Sequence, residues 1–408
     1  MATAVVADQI TMVESNLPAD IGLRPWSNFG NTDIDASTAI DAINNAAGLE
    51  LAEDMDSQTN LDSMYFSGKG LAKFAGVVYA TNDLASNPTL AAAGLQKLES
   101  AFNTFVTNSQ VYPLVYDSAW KGVVSTSTYV TGDSGQDFGN TYYNDHHFHY
   151  GYFVYAAAVI AYLNPDWLNQ GNNRAWVNML IRDYNNPSAE DTAFPVSRSF
   201  DWYHGHSWAK GLFEAADGNN EESSSEDAFS TYAIKMWGRV IGDANMVARG
   251  NLQLAVTARS LQNYFLLEDS NENQPSNFIG NKVTGILFDN KVDHTTYFGT
   301  NIEYIQGIHM IPLNPSSAYT RLPTFVSQEW DTYFSDSPSS PNGNPASNVS
   351  GGWRGILMAN LAIIDPTASF DFFNDPNFDI GYLDGGASRT WYLAYAAGMG
   401  GAFGTGGT

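Results

Sequence analysis

The chain has 408 residues, 44% of them hydrophobic, and carries 43 acidic against 18 basic residues for a net charge of −25. This length can bury a large core as one large domain or two to three smaller ones. The charge argues against nucleic acid and anionic membranes as partners, because phosphates are held by Lys and Arg. The absence of cysteine rules out disulfides, thiolate nucleophiles and cysteine-held metals.

No apolar run reaches the roughly 18 residues of a membrane span, and the start, MATAVVADQITM, lacks the basic and apolar regions of a secretory signal. A neutral polymer suffers no charge repulsion here, and 10 Trp, 22 Tyr and 23 Phe offer flat faces for sugar rings. Polysaccharide is the partner that fits.

Residues 1–17 read as a leader, followed by a turn-rich segment around Trp26. Apolar positions at helical intervals then predict helices over Ser37–Asn60, Tyr65–Thr81 and Leu90–Val106. The Thr-, Ser-, Gly- and Tyr-rich stretch from Tyr112 to Tyr143 predicts a strand or a long loop. It leads into Asn144-Asp-His-His-Phe-His-Tyr-Gly-Tyr152 and a buried helix over Tyr150–Leu163, with Asp145 expected in the first turn.

Further helices are predicted over Trp176–Tyr184, within Met236–Leu266, and over Ile302–Met310 and Gly355–Ile364. Phe278–Thr300 reads as strand-like or irregular, Ser335–Ser350 as a Pro/Ser/Asn loop, and the glycine-rich tail, residues 398–408, as flexible. Recurrent helices with loops of unequal length suggest one mainly α domain, a toroid of helical hairpins, with its site in the loops.

The densest stretch is Ser199–Asp227, where Trp202, Tyr203, His204, His206 and Trp208 precede a turn and the acids Glu221, Glu222, Glu226 and Asp227. A helix starting near Glu221 would place Glu222 and Glu226 on one face. Acids at a helix start are favoured by the macrodipole alone, but paired acids beside aromatics and histidines suit acid–base work on a sugar. At Asn144–Tyr152 three readings stand: aromatic packing, a metal site using Asp145, His146, His147 and His149, or Asp145 as a proton donor positioned by His149. Adjacent histidines point apart on a helix and no HExxH pair occurs, which weighs against the metal. Two further stretches, His294–Pro315 and Asp384–Tyr395, join aromatics to His, Glu and Arg. In the second, Asp384 and Ser388 read equally as helix caps, with Trp391 in the core.

The segments YFSGKGLAKFA, NDHHFHYGYFVYAAAVIA, SFDWYHGHSWAKGLFEAADGNNEESSSED, EYIQGIHMIPLNP and DGGASRTWYLAY together resemble glycoside hydrolase family 81, the endo-β-1,3-glucanases, across residues 17–397. The resemblance implies an (α/α)6 barrel over residues 18–397, and the chain resembles that barrel without the N-terminal β-sandwich and linking domain of family members. It implies hydrolysis of β-1,3-glucan with inversion, Asp145 as general acid supported by His149, and Glu222 as general base partnered by Glu226.

Sugar contacts are expected from Tyr142, His147, Tyr150, Trp202, His204, His206, Trp208, Tyr304 and His309. No cofactor or metal is expected, nor any nucleic-acid or membrane partner, and a secreted or wall-associated monomer is. Inversion needs the two carboxyls ~6.5–9.5 Å apart to admit a water. A glucan-binding protein that does not cut and a metal-dependent hydrolase stand as alternatives.

Overall fold

The computed structural model describes residues 2–6, 9–28, 30, 33–34 and 36–402. Helices dominate: α1 (Ser37–Glu50), α2 (Asp56–Thr59), α3 (Met64–Tyr79), α4 (Pro88–Val106), α5 (Ser127–Thr131), α6 (His146–Leu163), α7 (Asn173–Asn185) and α8 (Ser224–Val240). They continue with α9 (Ala244–Tyr264), α10 (Ile302–Gly307), α11 (Ser317–Thr320), α12 (Pro323–Tyr333), α13 (Gly352–Leu361), α14 (Pro366–Asn374) and α15 (Arg389–Ala396). The strands are short antiparallel pairs: β1 (Ala2–Val6) with β2 (Gln9–Val13), β3 (Leu114–Asp117) with β4 (Gly122–Ser125), and β5 (Phe200–Asp201) with β6 (His206–Ser207). A three-stranded sheet joins β7 (Asn220–Glu221), β8 (Ile286–Phe288) and β9 (Val292–Asp293). The fold is the expected mainly α, (α/α)6-barrel architecture.

The sequence dictates which helices lie innermost. α6 is apolar around its whole circumference, and His146–Ala161 are all buried, as expected of a helix enclosed on every side. It packs against α3 and α8. Small residues let these backbones approach: a Cβ on Gly151 would lie 2.9 Å from the Ser230 Cβ, and one on Gly68 would lie 3.0 Å from Tyr152 and Phe153. α8 is likewise buried from Ser224 to Gly238. Outer helices such as α7 and α4 show one apolar stripe, with Trp176, Val177, Leu180 and Ile181 facing inward on α7.

The structure refines several expectations. In the expected leader, β1 and β2 form a hairpin, Glu14 pairs with Arg259, and the Tyr319 hydroxyl donates to the Asn16 carbonyl at 2.6 Å. The tail keeps its order at its start, because Ala397–Gly401 continues α15 as a wide helical turn packed on Pro366; residues 403–408 lie outside the described residues. Tyr112–Tyr143 is neither one strand nor an unstructured loop, but holds β3, β4, α5 and a 3-10 turn over Gln136–Tyr142. In Asp384–Tyr395 the cap is Ser388, which accepts from the Trp391 amide, and Trp391 is buried; Asp384 instead pairs with Lys69 at 2.7 Å.

Candidate active site

The N-termini of α6 and α8 open onto one cluster of carboxylates. The chain reaches α6 through a strained loop in which Asp137, Phe138, Gly139, Tyr143 and Asp145 all have left-handed φ, the last at 61°. Such a run persists only where surrounding contacts hold it. Here Asp137 accepts from Ser63 Oγ at 2.5 Å and the Met64 amide at 2.9 Å, Asn140 accepts from the Ser125 amide at 2.8 Å, and Asn144 accepts from the Gly211 amide at 2.6 Å. Asp145 occupies the cap position, just before the helix, and its side chain makes no capping bond. Its amide donates to the Ala209 carbonyl at 2.9 Å, leaving a half-open carboxyl.

α8 starts differently. Glu222 was expected on the helix with Glu226, but Ser223 is the cap residue, accepting from the Glu226 amide, so Glu222 stands outside the helix at the end of β7. β7 and β8 pair Glu221 with Leu287, and side chains of successive strand residues alternate. Glu221 accordingly turns inward and is fully buried, while Glu222 stays partly open and accepts from the Tyr297 amide at 2.9 Å. Glu226, in the first turn of α8, is buried and accepts from the Tyr65 hydroxyl at 2.8 Å and the Tyr152 hydroxyl at 2.6 Å.

The carboxyls differ in their hold on protons. Burial pushes Asp145 well above the usual carboxylate range, and the charges of Glu222, Glu226 and Asp137 push the same way against Lys210. Glu222 is raised less, to about 7, by burial, with the Tyr297 N–H opposing and the Glu226 charge adding. Glu226 is raised by burial against Lys69 and its tyrosine donors. Neighbouring carboxyls with unequal proton affinities are the arrangement from which acid and base roles separate.

His149 is buried, and its Nδ1 accepts from Asn140 Nδ2 at 3.1 Å. Its bond to Asp145 runs through the backbone, the His149 amide donating to the Asp145 carbonyl at 2.9 Å. Burial drives its proton affinity well below the ordinary histidine value. Asn140, which holds the ring, also accepts from the Ser125 amide at 2.8 Å, so His149 is tied to the loop that leads into α6.

Of the expected sugar contacts, Trp202 is 47% exposed and His204 and Trp208 share Asp201, at 2.6 and 3.1 Å. Tyr142 lies half-buried against Phe213, and Tyr304 against Trp353. Four others are interior. The Tyr150 hydroxyl donates to the Val123 carbonyl at 2.7 Å, His147 faces Glu221, His206 donates to the Ser207 carbonyl at 2.7 Å, and His309 faces Ser224 Oγ at 2.8 Å. Each of these four rings has 1% exposure or less and so offers a sugar no face.

Sequence reasoning missed Tyr65, Tyr152, Asp137 and the Tyr297–Phe298 pair. Tyr297 and Phe298 are exposed, and Phe298 stacks on Trp353 with ring centroids 5.7 Å apart. Tyr65 and Tyr152 fall in the quoted motif segments, and Tyr297 and Phe298 in the aromatic stretch His294–Pro315, whereas nothing marked Asp137.

A helical barrel with unequal carboxyls at two helix entrances and aromatics on its rim defines a protein of the glycoside-hydrolase barrel class. Residues 35–393 match the family model described as the glycosyl hydrolase family 81 C-terminal domain, and the chain belongs to that family. It is 58% identical over 98% of its length to a glucan endo-1,3-beta-D-glucosidase of Arthroderma benhamiae, covering 43% of that protein. It is 50% identical over 97% of its length to a primary septum glucan endo-1,3-beta-D-glucosidase of Schizosaccharomyces pombe, covering 38% of it. Its fold is similar to a mutant of glycoside hydrolase family 81 from Clostridium thermocellum, with a TM-score of 0.71, 23% identity, and coverage of 92% of this chain and 49% of that one. The chain thus spans about two fifths to half of these proteins' lengths.

Proposed function

We propose that this domain hydrolyses internal β-1,3-glucosidic bonds of laminarin-type glucans with inversion, Asp145 acting as general acid and Glu222 as general base. The observation that carries this reading is that the two half-open carboxyls of the cluster stand at separate helix entrances, in environments that favour the proton on Asp145 and release it sooner from Glu222. Inversion requires one carboxylic acid at the leaving oxygen and one carboxylate at a water on the opposite face. Glu226, held by two phenols, sets the charge between them. Trp202, His204, Trp208 and Tyr297 form the rim against which a neutral glucan lies, consistent with the chain's negative charge.

The names of the matched relatives support the substrate, and the septum enzyme among them supports action on wall glucan outside the cell. The test is proton NMR of early laminarin hydrolysis, before mutarotation. The expected first product carries the α configuration at its new reducing end; a β-anomer would mean a covalent intermediate and end the assignment of Glu222 as base. No release of reducing sugar at all would leave a binding domain.

A further inference from the structure

Beneath the open carboxyls lies a second polar cluster that the proposed reaction does not use. His147 is two residues past Asp145, Glu221 directly precedes Glu222, and Asp227 directly follows Glu226, so three elements converge: the first turn of α6, the end of β7 and the first turn of α8. His147 is 1% exposed and Glu221 and Asp227 are 0% exposed. One donor atom of each lies within 4.8 Å of the others. The contacts among them are incomplete. His147 Nε2 lies 3.1 Å from Glu221 Oε1, and Asp227 Oδ2 accepts from the Ser207 amide at 2.9 Å. His147 Nδ1, Glu221 Oε2 and Asp227 Oδ1 have no partner.

Buried polar atoms are almost always partnered, and each one left open costs about 1–3 kcal/mol. Each of the three side chains keeps one open atom, and one ligand atom of each lies within 4.8 Å of the others, a spacing that a common occupant would fit. A group that neutralises two buried carboxylates while accepting an imidazole lone pair is a cation. Among the described residues no lysine or arginine pairs with Glu221 or Asp227, and the ion-pair contact of the cluster is His147 with Glu221.

We propose that His147, Glu221 and Asp227 bind one divalent transition-metal cation, zinc being the first choice. One imidazole and two carboxylates with no thiolate suit Zn²⁺ in four-coordination, the fourth position going to a water or a second carboxylate oxygen. Calcium takes six to eight oxygens and magnesium keeps several waters in an octahedron, and neither suits this small buried set. The ion would be structural, tying α6, β7 and α8 together below the site. It differs from the metal reading of Asp145–His149, because two of its three ligands come from the second acid cluster and none is Asp145. It also stands whether or not the domain cuts glucan, because its test needs no substrate.

The test is metal analysis of the whole chain, produced in zinc-supplemented medium and purified without chelator. About one zinc per chain is expected, falling below about a tenth in His147→Gln and in Asp227→Asn. Heating with a chelator should lower Tm by about 3 °C or more, since a ligand bound only by the folded state adds to its stability. Should the variants fail to fold, anomalous scattering at the zinc edge from wild-type crystals should place one peak among the three side chains. Metal-free wild-type protein, a metal content unchanged in both folded variants, or a peak elsewhere would overturn the proposal.

Discussion

α6 and α8 bury most of their length side by side, yet they begin in opposite ways. At α6 the cap position holds an aspartate that caps nothing: Asp145 sits in left-handed backbone, its amide engaged by Ala209 and its carboxyl left to the opening. At α8 the cap is Ser223, which accepts from the Glu226 amide and donates to the Ile308 carbonyl at 2.8 Å, so capping and chemistry fall to different residues. The first entrance frees its carboxyl by straining the backbone before it; the second satisfies the backbone with a hydroxyl and pins Glu226 with two phenols. A site needs both kinds, one group free to exchange its proton and one whose charge is held in place.

The contrast breaks most sharply at Asp145. Asp145→Asn is expected to lose about 10²–10⁴-fold in kcat on laminarin, since the amide cannot donate an acidic proton. Its Tm should stay close to the wild-type value, because no capping bond is lost and the amide replaces a carboxyl that burial already keeps protonated. A large loss of stability would show that Asp145 has a capping duty after all. Glu222→Gln should match it in kcat loss.

At the second entrance, Tyr152→Phe removes one of two donors to Glu226 and should lower kcat by about tenfold, the scale of one lost hydrogen bond to a charged group. An unchanged rate would make Glu226 a packing residue. His149→Ala tests support at the first entrance and should also lower kcat, with KM little changed; unaltered kinetics would reduce His149 to a core residue.

Ser223→Ala should act on stability more than rate, costing about 1 kcal/mol, read as a lower midpoint in urea. The smallest effect on rate lies further along α8, where Lys235 is fully buried, donates to the Pro18 carbonyl, and is held down to about 7 by burial. Its folded-state proton affinity is below the unfolded one, so folding disfavours the charged form and wild-type stability rises with pH between about 7 and 10. Lys235→Met should therefore gain stability at pH 7 relative to its effect at pH 10, with activity unaltered. A gain independent of pH would mean that Lys235 carries no charge cost.

Much of this was legible in the residues alone. The all-apolar run after Tyr150 predicts an enclosed helix, and α6 is one, starting four residues earlier than the periodicity shows because His146, His147 and His149 are polar in type but buried in fact. The amphipathic stripes of α4 and α7 and the turn composition before Glu221 are local properties, readable in a window of a dozen residues. The residue types of the site, one aspartate near a helix start and two glutamates four apart, were equally visible, although Asp145 was expected in the first turn and stands just before it.

What the chain could not show is which groups face each other. Glu226 is braced by Tyr65, 161 residues away, and by Tyr152, 74 away. Whether Glu221 or Glu222 faces the opening depends on strand pairing with Leu287, and a shift of one residue would exchange them. His147, His206 and His309 look like ligands for a sugar by type, yet packing turns them inward. Backbone preference acts over a few bonds and is written in neighbouring residues, whereas burial and side-chain direction follow from which distant elements share the core, and only the assembled barrel decides that.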